Sequence, residues 1–247
     1  MAANTEERRK AAVAFAMIPI QDTIRSRDLP FVTWLLIFLN GLFFLQELAL
    51  SPDHLRQLVE QLGLVPARLV SDPWSWWWTL ITCMFLHGGW MHFVGNMWML
   101  YLFGDNVEDR MGPVAYLFFY LLCGIAASLG QVAVSITSTI PTIGASGAIS
   151  GVLGAYFVLF PRARILTLVP VIFLPLIVEV PATVFIGVWF FSQLFSGTLA
   201  LVEPEYFNEV AWWAHIGGFV AGMVLVPIFK KPPSRYRAFY EDEYWPW

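Results

Sequence analysis

Six stretches of this chain run for fifteen to twenty-two residues almost without charge: Phe31 to Leu50, Trp90 to Gly104, Pro113 to Val134, Gly147 to Pro161, Pro181 to Leu201 and Val210 to Phe229. Roughly 20 apolar residues in a helix span a ~30 Å hydrocarbon core, and a bilayer offers no water to unpaired backbone groups, so the pattern predicts a bundle of membrane-crossing helices. Composition agrees, with 58% hydrophobic and 13% charged residues. A net charge of -4 provides no basic surface for nucleic acid, which is set aside as a partner. Cys83 and Cys123 have neither metal-type nor redox-type spacing and read as packing residues. The first stretch starts after thirty residues with no small-residue cleavage site behind it, so it is expected to stay as an anchor.

Lys and Arg set the orientation. With the amino terminus inside, twelve of the fourteen fall in inner segments, and only Arg56 and Arg68 lie outside. The loop from Ser135 to Ile143 has no charge, and the last outer loop carries Glu203, Glu205 and Glu209. The expected fold is therefore an all-α polytopic membrane protein of six spans, with both termini cytoplasmic. The expected divisions are a cytoplasmic segment 1–29, a membrane domain 30–229 and a cytoplasmic tail 230–247.

Two apolar segments do not read as spans. Leu55, Leu58, Val59 and Leu62 follow i, i+3, i+4, i+7 spacing ahead of Trp74, Trp76, Trp77 and Trp78, which predicts a membrane-embedded first outer loop. Ile165 to Val178 contains Pro170 and Pro175 and is bracketed by Arg162, Arg164 and Glu179, so it reads as an inner interfacial loop.

Helix rise sets the depth of the polar residues. The fifteen residues from Gly147 to Pro161 rise only ~22 Å, so a helix ending at the inner surface begins roughly 8 Å inside the outer edge of the core. Ser146 then lies within the membrane, and the non-helical glycine-rich backbone before it requires burial or a water-filled cavity. His215, fifteen residues before Lys230, reaches the same depth; so does His92, ~20 Å above Asp105, with Asn96 one turn deeper on the same face. Polar and ionisable groups at membrane depth mark function.

Other readings compete. Ser146, Gly147, Ser150, Gly151 and Gly154 form a small-residue stripe of the kind that lets helices approach, and the stripe alone favours packing. His92, Asn96 or His215 alone could be a hydrogen-bonded interior residue, and their shared depth tips the balance toward function. No metal site is expected: His87 and His92 are five apart, and no carboxylate or thiolate joins them at that depth. Gly144-Ala145-Ser146-Gly147-Ala148 fails the G-x-S-x-G elbow of α/β-hydrolases.

Four motifs in order resemble the rhomboid intramembrane serine proteases of the minimal six-span bacterial type. They are His87-Gly-Gly-Trp-Met-His92-Phe-Val-Gly-Asn96, Gly104-x-x-x-Glu108-x-x-x-Gly112, Gly144-Ala-Ser146-Gly147 and Ala214-His215-x-x-Gly218-x-x-x-Gly222. The resemblance implies Ser146 as nucleophile and His215 as general base in a dyad without an orienting aspartate. It implies His92, Asn96 and the Ser146 backbone N–H as oxyanion donors, Gly218 and Gly222 as close-approach glycines against span four, and Glu108 as a structural acid. Gly144 and Gly147 flank the nucleophile, and no cofactor or metal is implied. The implied substrate is a transmembrane helix entering sideways between spans two and five of a protein in the bilayer of the cell (inner) membrane, with the acidic loop from Leu201 to Glu209 as a cap. This chain departs from some members by reading Trp77-Trp78-Thr79 where they carry Trp-Arg, and by having Ser150 where they have a tyrosine stacked on the histidine. Something else must therefore hold the His215 ring. The alternative is a non-proteolytic rhomboid-like protein that binds membrane clients, disfavoured because Ser146 and His215 are both present. A transporter would need internal repeats, and none is visible.

Overall fold

The computed structural model describes residues 17–171, 174–203 and 210–232. Most of the acidic cap loop, the first sixteen residues and the tail beyond residue 232 lie outside the described residues. In chain order the elements are β1 (Ile18–Asp22), α1 (Phe31–Ala49), α2 (Pro52–Leu62), α3 (Pro66–Ser71), α4 (Pro73–Trp76), α5 (Thr79–Thr82) and a 3-10 turn at Cys83–Phe85. They continue with α6 (Trp90–Met111), α7 (Pro113–Val134), α8 (Ser146–Leu159), β2 (Arg164–Val171), β3 (Leu174–Pro181), α9 (Ala182–Val202) and α10 (Trp212–Phe229).

Helix boundaries follow local chemistry. Gly112, at φ +84°, ends α6 by donating its N–H to the Glu108 carbonyl, and Pro113 starts α7 with its φ already fixed for a helix. Between α1 and α6, Ser51 caps α2, Pro52 opens it, and the stripe Leu55, Leu58, Val59 and Leu62 is half-buried while the other face is exposed. Among the described residues α1, α7, α9 and α10 are long and apolar enough to cross a membrane. The 22-residue α6 carries Asp105, Glu108, Asp109 and Arg110 in its last turns, and α8 has only 14 residues.

From Gly147 to Tyr156 every residue of α8 is buried, so this helix is the axis of the bundle. Around it the outer faces of the long helices are apolar and exposed at helical spacing: Phe31, Phe38 and Leu45 on α1, Val184, Val188, Phe191 and Phe195 on α9, and Val220, Val224 and Ile228 on α10. Exposed apolar stripes of this extent suit lipid contact and not water.

The all-α expectation is corrected to a predominantly helical fold that also carries a sheet, ordered β1-β2-β3 and antiparallel throughout. Ile165 to Val178, expected to be an interfacial loop, is most of a β-hairpin in which Pro170 stands opposite Pro175. Proline removes one ladder donor and is tolerated near a strand end, whereas Ile165, Thr167, Ile177, Val178 and Val180 are β-branched residues that suit a pleated surface. Ile165 and Thr167 are fully buried while Leu166 and Leu168 are only half-buried, the period of two that strands impose. The third strand comes from the amino-terminal segment, more than 140 residues away in sequence, where Ile18 pairs with Leu168.

Candidate active site

The segment leading to Ser146 is held in place by the stretch between α1 and α6. Leu64 and Thr142 exchange both backbone hydrogen bonds, at 3.0 and 2.8 Å, and the Gly144 N–H donates to the Cys83 carbonyl at 2.8 Å. Arg68 stiffens that stretch by donating to the Glu60 carbonyl at 2.6 Å while lying 5.2 Å from the Trp76 ring centroid. Gly144 is required twice over: its φ is +122°, and a Cβ there would come 2.5 Å from His92 Nε2. Ser146 is then the first residue of α8, so its N–H has no intrahelical acceptor.

Helix α10 reaches Ser146 through glycines. A Cβ on Gly218 would collide with the Gly147 carbonyl, one on Gly222 with the Gly151 carbonyl, and one on Gly154 with the Phe219 carbonyl. This backbone contact brings His215 Nε2 to 2.8 Å from Ser146 Oγ. The other ring nitrogen, Nδ1, lies 2.8 Å from Gln193 Oε1 on α9. Trp189 and Trp212 flank the imidazole, with ring centroids 6.1 and 6.2 Å away. These three side chains answer the question the sequence posed about the ring, since Ser150 turns away and donates to the Ser146 carbonyl at 2.6 Å.

Two further donors face the same space from α6. The Gly88 N–H donates to His92 Nδ1 at 3.3 Å, so the neutral ring carries its proton on Nε2, the atom beside Gly144. Asn96 is 8% exposed, and its Nδ2 has no hydrogen-bond partner among the described residues. That nitrogen lies 3.6 Å from the same Cβ position on Gly144. A buried amide donor with no acceptor is costly unless another molecule uses it. All four polar residues line a cavity of about 650 Å³ between α6, α8, α9 and α10.

Glu108 lies near the C-terminal end of α6, away from the cavity. Its carboxylate accepts from Val32 N, Thr33 N and Thr33 Oγ1, each at 2.8 Å, and so caps the first turn of α1. Gln193 belongs to none of the four motifs. Its signal was the one that singled out Ser146, a polar side chain inside an apolar stretch.

The Rhomboid domain profile matches residues 75–232. Rhomboid protease GluP of Bacillus subtilis is 37% identical over 127 residues, covering 51% of this chain and 24% of that protein. The putative rhomboid protease YdcA of the same organism is 35% identical over 80 residues, 32% of this chain and 40% of that protein. RHOMBOID-like protein 5 of Arabidopsis thaliana is 29% identical over 161 residues, 60% of this chain and 51% of that protein. The chain thus spans from a quarter to a half of the length of these relatives. Because the profile match begins before His87 and ends beyond Gly222, it takes in every motif from which the site is built, and the chain belongs to the rhomboid family.

Proposed function

We propose that this protein is an intramembrane serine endopeptidase that hydrolyses peptide bonds of transmembrane helices with a Ser146–His215 dyad. The observation that carries the reading is the 2.8 Å contact from His215 Nε2 to Ser146 Oγ, at a cavity into which the unpartnered Asn96 amide also points. Ser146 Oγ attacks the scissile carbonyl while His215 Nε2 takes its proton. The oxyanion of the tetrahedral intermediate accepts hydrogen bonds from Asn96 Nδ2, His92 Nε2–H and the Ser146 N–H. Collapse expels the amine, protonated by His215; water, giving its proton to His215, then attacks the acyl ester, and the ester bond breaks as His215 returns that proton to Ser146 Oγ.

The working arrangement is a six-span bundle over 30–229, with α6 and α8 as the second and fourth spans, α2 to α5 as a membrane-embedded outer loop, and residues 1–29 and 230–247 on the cytoplasmic side of the cell (inner) membrane. The shortness of α8, about 21 Å over its 14 residues, supports a nucleophile below the outer surface. The substrate helix enters sideways between α6 and α9, where Met91 and Met99 on one side and Trp189 on the other line the cavity. It must unwind there, because a helical carbonyl is already engaged by the N–H four residues on. The loop 201–209 is assigned the role of cap.

The test is cleavage of a reporter transmembrane substrate by the purified protein in liposomes. Ser146→Ala and His215→Ala should each abolish cleavage, and a fluorophosphonate probe should label the wild type at Ser146. Cleavage persisting in either variant would overturn the dyad.

A further inference from the structure

We infer that Gln193 is the positioning residue of His215: it selects the imidazole tautomer that makes the ring a base, and it does so from α9. The inference rests on the dyad reading above. Gln193 is 6% exposed, and its amide has a definite orientation. Its Nε2 donates to the Trp189 carbonyl at 3.1 Å, and a carbonyl oxygen only accepts, so the nitrogen belongs on that side and Oε1 faces His215 Nδ1 at 2.8 Å. An amide oxygen likewise only accepts. Nδ1 must therefore carry the hydrogen, which leaves the lone pair of the neutral ring on Nε2, 2.8 Å from the Ser146 hydroxyl. The opposite tautomer would present an N–H to Ser146 Oγ and could not take its proton.

The choice of an amide follows from depth. A carboxylate would orient the ring equally well, but an ionised group in the hydrocarbon region is expensive, whereas a glutamine supplies the acceptor without a charge. When His215 takes the serine proton on Nε2, the same oxygen still accepts from the Nδ1–H of the imidazolium. The donor and acceptor roles are thus satisfied through the whole cycle.

The placement of Gln193 ties the base to the helix beside the proposed substrate path. Helix α9 buries little of its surface and turns Val184, Val188, Phe191 and Phe195 outward. The base is set only while α9 is seated against α10.

Three measurements on the full-length protein test this. In wild type, ¹⁵N shifts of the His215 ring should report Nδ1–H, and Gln193→Leu should move the ring toward the other tautomer or a mixture. Gln193→Leu should lower kcat on the reporter substrate about tenfold or more with KM little changed, and slow fluorophosphonate labelling of Ser146 to the same degree, since the small probe does not need the lateral path. Gln193→Glu should restore most of both rates, because it keeps an acceptor oxygen at the same reach whether or not it is ionised. A Gln193→Leu variant that labels at the wild-type rate, or loses only KM, overturns the inference. So does failure of Gln193→Glu to rescue labelling where its thermal unfolding matches wild type. If instead Ser146→Ala or His215→Ala still cleaves, it is the dyad that falls.

Discussion

At the scale of single residues, the proposed oxyanion site rests on two side chains of α6 that line the cavity. Asn96 Nδ2 is buried without an acceptor among the described residues, and His92 is held by Gly88 in the tautomer that offers Nε2–H. Replacing either residue by alanine should cut turnover by roughly 10²–10³, the usual cost of one oxyanion donor, without lowering the thermal unfolding midpoint. Normal turnover in both variants would remove the oxyanion role. Ser146, His215, His92 and Asn96 stand out in the sequence because each interrupts an apolar run, and the structure gathers the four on one cavity. Gln193 interrupts such a run equally, yet what it does depends on which nitrogen of which ring it meets, and no spacing rule carries that across the 22 residues to His215.

Between elements, the decisive contact is α10 against α8, where glycine carries the backbones to each other at Gly218 and Gly222. Gly218→Val should destabilise the protein by about 1–3 kcal/mol, as overpacking does, and should slow Ser146 labelling well below what partial unfolding explains. Thermal unfolding in detergent, with labelling measured far below the midpoint, separates the two effects; a variant stable and labelled as wild type would show the approach is not that tight. The clasp of Glu108 on α1 predicts a different outcome. Glu108→Ala strips the acceptor from two backbone N–H groups and a hydroxyl and should cost about 1.5–3 kcal/mol, yet leave labelling of Ser146 intact below the midpoint. Small-residue stripes showed in the sequence that helices meet closely. That Gly218 lies against Gly147 required the folded chain.

For the molecule as a whole, β1 acts as a strap that joins the amino-terminal segment to the helical bundle. Asp22 closes it, with its Oδ2 accepting from Tyr156 Oη on α8 and Asn106 Nδ2 on α6, both at 2.7 Å, while Trp98 Nε1 donates to the Pro19 carbonyl at 2.7 Å. The Asp22 carboxyl is pushed up to about 7, chiefly by burial and further by the nearby Asp105 charge, while the Tyr156 hydrogen bond pulls the other way. Its folded value lies above the ordinary 3.8, so its stabilising contribution is complete below about pH 4 and is lost as pH rises through about 7. The unfolding midpoint of wild type should therefore fall across that window relative to Asp22→Asn, which keeps the acceptor oxygen but does not titrate. Parallel pH profiles for the two proteins would show that Asp22 does not govern the strap.

Taken alone, the sequence determined the long apolar helices and the shortness of α8, because hydrophobic length and helix rise are local properties that a bilayer makes decisive. Tertiary structure alone decided the pairing of β1 with β2, since the two strands lie more than 140 residues apart and no local pattern links them. It also decided the orientation of His215. A tautomer is chosen by the partner of the other ring nitrogen, and that partner comes from a helix brought alongside by packing.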